Sequence, residues 1–134
     1  NSDKKMVIIK LNSAGSVDYF NTFSSNSLGS DYYYRGFGSS IKISDSSFII
    51  AGSSRSSNGD VNKNQGQNDA WITKISNSGL LIWETTVGGA EIDFAYDAVQ
   101  LTNGTIIAVG ETSSFNGDIL VNKGFTDLLI IKIN

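Results

Sequence analysis

A string of residues returns along this chain at fixed offsets, and that periodicity restricts the fold more than any other feature. The segment DAWITK at 69–74 returns as DLLIIK at 127–132, an offset of 58 residues. The same offset carries Gly52 onto Gly110, Asn58-Gly59-Asp60 onto Asn116-Gly117-Asp118, and Gly66 onto Gly124. Upstream, KLNSAG at 10–15 matches KISNSG at 74–79 at an offset of 64, which brings Tyr19 onto Trp83 and Thr22 onto Thr86. The difference of six residues between the offsets places an insertion between Phe23 and Gly38. One such match could be chance; an ordered series is a repeat.

Within each repeat the apolar residues are spaced as in strands. Residues 6–11, 70–75 and 128–133 are short runs rich in Ile and Val, of strand length. Gly-bearing turns follow the first two, and further strands are expected at 17–23, 37–44, 47–53, 80–87, 96–102 and 105–112. The Asn103-Gly104 pair between two apolar runs is a hairpin signal, because both residues accept positive φ. Short strands without a helix, at a period near 58 residues, fit a propeller blade better than leucine-rich or ankyrin-type repeats. The chain divides into a repeat unit at 5–68, a second at 69–126 and the start of a third at 127–134.

What is missing narrows the function. The chain has no cysteine and no histidine, so it has no disulfide frame, no Cys nucleophile and no Ser-His-Asp catalysis. No enzymatic activity and no cofactor are expected. A net charge of −3 argues against a nucleic-acid partner. No apolar run reaches the length of a membrane span, so membrane insertion is not expected either.

The segments DAWITKISNSG (69–79), Gly88-Gly89, DFAYDAV (93–99) and NGTIIAVGET (103–112) resemble the bacterial β-propeller repeat of large secreted and cell-surface proteins. The resemblance spans nearly all of 5–134 and is weaker in the first repeat, where Ser24-Ser25 replaces Gly88-Gly89 and Arg35 aligns with Asp93. It implies an all-β propeller segment of about two four-stranded antiparallel blades plus one extra strand. Its strands would read third, outer; inner, second, third, outer; inner, second, third. The implied role is a non-catalytic scaffold or adhesion module, extracellular or at the cell surface; the alternative is a carbohydrate-binding, lectin-type oligomeric propeller. Expected partners are further propeller repeats of the same protein or other copies, and a surface protein or glycan ligand. An excerpt of a longer propeller is preferred over a self-assembling ring, because nine strands do not divide into four-stranded blades.

In that order, the long connections at 24–36, 54–68, 88–95 and 113–126 fall on one rim, where loops held by a rigid scaffold tend to bind. Tyr32, Tyr33, Tyr34 and Arg35, in the insertion, are the candidate ligand-binding residues, since clustered tyrosines give large amphipathic contact area. Packing between blades is the competing role. Asn58, Asp60 and Asn62 place side-chain oxygens at alternate positions of a Gly-bearing loop, as calcium loops do. Against calcium, Leu120 stands where the second copy would need the oxygen of Asn62, and Asn and Asp also serve turns through their own hydrogen bonds. Glu91, Asp93 and Asp97 crowd one connection and resemble a glycosidase acid pair, but no catalytic motif accompanies them. Asp69 and Asp127 are expected to accept loop amides, and Trp71 and Trp83 to pack between sheets.

Overall fold

The computed structural model describes residues 5–24, 39–42, 45–57 and 59–134. Among them are nine strands in three antiparallel sheets and no helix. The first sheet is the hairpin of β1 (Lys5–Leu11) and β2 (Val17–Ser24). The second has the order β3 (Ser39–Lys42), β4 (Phe48–Ser54), β5 (Asp69–Ile75) and β6 (Leu81–Val87). The third joins β7 (Asp93–Gln100), β8 (Ile106–Thr112) and β9 (Asp127–Ile133). The strand number and the two, four, three partition agree with the order expected from the sequence. The count of sheets does not: only one is four-stranded, and the other strands are split between the two ends instead of forming a second.

Burial explains the two kinds of strand sequence. β4 and β5 are buried almost continuously, because their sheet is covered on both faces. Ile49, Ala51, Ala70 and Ile72 pack against Ala98, Ile106, Ala108, Leu129 and Ile131 of the third sheet. On the other face Ile50, Trp71 and Ile75 pack with Phe23 of the hairpin and Val61 of the β4–β5 connection. A strand covered on both faces reads as an unbroken apolar run. β9 also has such a sequence, yet its burial alternates: Leu129 and Ile131 face the core, while Leu128 is 73% and Ile130 62% exposed.

β7 begins at Asp93, three residues before the strand expected at 96. The register slips between Ala95 and Asp97, a bulge at Tyr96 that breaks the alternation by which a strand is read. Gly110 faces it on β8, and a Cβ there would overlap the Phe94 carbonyl oxygen.

Local bonds recur at the sequence offsets. Asn64 donates its side-chain amide to the Ser54 carbonyl and Asn122 donates its own to the equivalent Thr112 carbonyl, while their second acceptors, Gln67 and Ser114, are not equivalent. The Gly66 and Gly124 amides donate to the Asn64 and Asn122 side-chain oxygens. The Gln65 and Lys123 amides donate to Asp69 at 3.0 Å and Asp127 at 2.6 Å. Ser46 and Gly104, 58 positions apart, share a left-handed backbone, with φ of 66° and 88°.

Candidate functional site

The long connections that the structure describes gather at one end of the sheets. The amide of Asp93 donates to the Asn68 carbonyl at 2.6 Å, that of Gln67 to Ala90, that of Asp118 to Gly88 and that of Ser113 to Ile92. The β4–β5, β6–β7 and β8–β9 connections are thereby tied into one rim, and three aspartates, Asp69, Asp93 and Asp118, stand in it.

Each aspartate has a different environment. Asp93 is fully buried; Thr112 donates its hydroxyl to Oδ1, and Ser114 Oγ and the Gly89 amide donate to Oδ2 at 2.8 and 2.9 Å. Asp118 lies on the surface and receives Gln65 Nε2, the Gly88 amide and Lys63 Nζ, the last at 3.3 Å. Asp69 is fully buried with its Oδ2 bound by the Gln65 amide, while among the described residues its Oδ1 has no hydrogen-bond partner. Burial pushes the Asp69 carboxyl up to about 6; the nearby charges of Asp93 and Asp118 add to the rise, and the Gln65 amide and Lys63 oppose it.

Gly88 makes the arrangement possible. A Cβ at this position would stand 2.6 Å from Asp93 Oδ2 and 2.8 Å from Asp69 Oδ1, so any side chain would collide with both carboxylates. The Gly88 carbonyl in turn accepts from the Asp118 amide at 2.8 Å and Gln65 Nε2 at 2.9 Å. The rim is thus a polar lock between the second and third sheets, in which most acceptors already have internal donors.

The sequence-derived candidates are only partly brought together. Tyr32, Tyr33, Tyr34, Arg35 and Asn58 lie outside the described residues. Asn62 is turned to β6, its amide nitrogen 2.7 Å from Glu84 Oε1 and its backbone amide on the same oxygen. Asp60 stands in the same connection, where among the described residues no group of three or more acidic side chains is placed to hold a metal ion. The carboxylates imagined as an acid pair have separate partners: Glu91 accepts Gln67 Nε2 at 2.9 Å, Asp93 is enclosed as above, and Asp97 accepts the Ala98 amide beyond the bulge. Asp69 and Asp127 accept loop amides as expected. Trp71 lies between the first two sheets and donates to Glu84 at 2.9 Å, and Trp83 packs against the other core. The Asp69–Asp93–Gly88 cluster was missed by sequence reasoning; the glycine pair at 88–89 ahead of an aspartate was its only signal. In comparisons with known proteins, no family model and no curated protein matched the chain.

Proposed function

We propose that this chain is a β-propeller segment serving as a scaffold or adhesive interaction module of an exported bacterial surface protein, without a catalytic role. The observation that carries the reading is the stacking of three antiparallel sheets in a two, four, three partition. The hydrogen bonds of Asn64 and Asn122, and of Asp69 and Asp127, support it by recurring at the sequence offset of 58. The rim supports the scaffold role, since its polar side chains fasten sheet to sheet instead of converging on an open cavity.

A segment of this kind leaves apolar faces for neighbours at both ends. Val7, Ile9 and Phe20 on the hairpin and Leu128 and Ile130 on β9 are all more than half exposed, and contiguous exposed apolar surface marks an interaction site. Light scattering with hydrogen exchange on the purified chain tests the reading. Association, or weak protection of the terminal strands, is expected. A monodisperse monomer whose β1, β2 and β9 amides are protected like those of β4 and β5 would overturn it in favour of a self-contained β domain.

A further inference from the structure

We propose that the outer edge of β9 docks a second copy of this chain, pairing with that copy's β2 in the place that β1 holds within one chain. This rests on the repeat reading above and names its partner. β1 and β9 are close to one sequence, VIIKL at 7–11 and LIIKI at 129–133. In the hairpin Lys10 stands opposite Tyr19, its Nζ 5.6 Å from the ring centre and 3.1 Å from Asp18. In the second sheet Lys74 stands opposite Trp83 in the same way. Lys132 holds that position on β9, where Ile107 of β8 pairs with it on the inner side and, among the described residues, no strand lies on the outer side. Carrying over the β1–β2 register sets Lys132 opposite Tyr19, Ile131 opposite Phe20 and Leu128 opposite Phe23.

A concerted change of chemistry supports this pairing. In the second sheet a polar trio joins loop, third strand and outer strand: Asn62 Nδ2 and Trp71 Nε1 donate to the two oxygens of Glu84 at 2.7 and 2.9 Å. The residues 58 positions after Asn62 and Trp71 are Leu120 and Leu129, and the residue 64 positions before Glu84 is Phe20. All three positions switch from polar-bonding to apolar together. Leu120 is 89% and Phe20 65% exposed, so in a single chain the apolar trio is not assembled. Beside β9 lies an open groove of about 600 Å³ with Trp83, Val87, Ile131 and Ile133 as its apolar part and Lys74, Glu84 and Gln100 among its polar lining. A Phe20 ring on a strand paired with Ile131 would enter that groove.

The exchange is physically accessible. β2 is anchored to its own second sheet independently of β1, through buried Phe23, through Asn21 Nδ2 on the Gly79 carbonyl at 2.8 Å, and through Tyr19 against Gly79. β1 brings no further strand with it among the described residues, whereas β9 brings β7 and β8. Replacing β1 by β9 completes a four-stranded sheet and covers Leu128 and Ile130. The contact joins the tail of one copy to the head of the next, so it propagates as a ring or a filament.

Because the chain has no cysteine, single introduced thiols report the contact. A Lys132→Cys chain is mixed with a Tyr19→Cys chain at high micromolar concentration and treated with a short bismaleimide, after circular dichroism has verified the fold of each variant. A covalent heterodimer is expected. Adding Phe20→Glu to the Tyr19→Cys chain should weaken the association about 100-fold, and Leu120→Asn in the other chain should restore part of it by recreating the Asn62–Glu84 pair. Leu120→Glu alone, on an exposed loop, gives an independent loss. No heterodimer, or one indifferent to Phe20→Glu, overturns the inference. If light scattering still shows association in that case, the propeller reading survives; a monomer with uniformly protected ends overturns both.

Discussion

Replacing Asp69 by Asn should stabilise the protein at neutral pH, and its effect should become more favourable as pH rises. The carboxyl is fully buried, has one oxygen without a partner among the described residues and shares its surroundings with Asp93 and Asp118. Its pKa rises from 3.8 to about 6 on folding, so the folded state holds the proton more tightly than the unfolded chain. The stability from this group is therefore fully present below about pH 4 and is lost as pH rises through 6. That rise corresponds to roughly 3 kcal/mol of penalty at neutral pH. Asn keeps an acceptor for the Gln65 amide without the charge but must place an amide NH₂ among carboxylate neighbours, so a net gain of about 1–2 kcal/mol at pH 7.5 is expected. At pH 4, where most of that penalty has gone, the gain should turn into a loss of about 0.5–1.5 kcal/mol. Urea unfolding of wild type and D69N at pH 4, 6 and 7.5 measures both numbers. A loss of more than about 1 kcal/mol that is the same at all three pH values would refute the reasoning, and would mean that the ionised carboxylate makes a favourable interaction.

Two further perturbations follow from close contacts. Gly110→Ala should cost about 2–4 kcal/mol, since its Cβ overlaps the Phe94 carbonyl oxygen and β7 must shift; Gly124→Ala, with open space around it, serves as the neutral control in the same denaturation series. Asp45 should titrate well below the usual carboxylate range by NMR, because Lys74 Nζ lies 2.6 Å from one oxygen and Ser47 donates to the other. Its small stabilising effect is present above pH 4 and fades as pH falls further, and Lys74→Met should move the titration back toward 3.8.

How much was legible in the sequence depended on whether local pattern or distant partners decided the outcome. Runs such as 70–75 and 128–133 became strands within a residue of their expected bounds, because apolar content and Gly turns act locally. The start of β7 was misplaced, since the bulge at Tyr96 shifts which side chains face inward. Asp93 read as one of three loop carboxylates, yet it is a fully buried acceptor. Its partners Thr112 and Ser114 stand 19 and 21 residues away, and nothing around position 93 announces them. Asp69 was read correctly as an acceptor of a loop amide, because that bond is four residues long and recurs at Asp127. Its pKa was not readable, because Asp93 and Asp118, which help to raise it, lie 24 and 49 positions further along the sequence.

The same distinction bears on calcium. In the sequence Asn58, Asp60 and Asn62 alternate as oxygen donors would, and a bound ion would be worth a great deal to the fold. A site with a micromolar dissociation constant adds about 4 kcal/mol at millimolar calcium, which raises the melting temperature of a domain this size by roughly 10 °C. Calcium asks for six or more oxygens, and Asn62 instead directs its amide nitrogen to Glu84 at 2.7 Å. An ion at Asn62 Oδ1 would have to be accommodated by a side chain and a backbone amide already fastened to Glu84. The corresponding aspartate of the second loop, Asp118, is held by Lys63, Gln65 and Gly88, so the recurrence of the motif traces to turn and inter-sheet bonding. Melting curves in millimolar calcium and in EDTA should therefore coincide within about 1 °C. A rise of several degrees in calcium that disappears in Asp60→Ala would show that the loop gathers its oxygens around an ion.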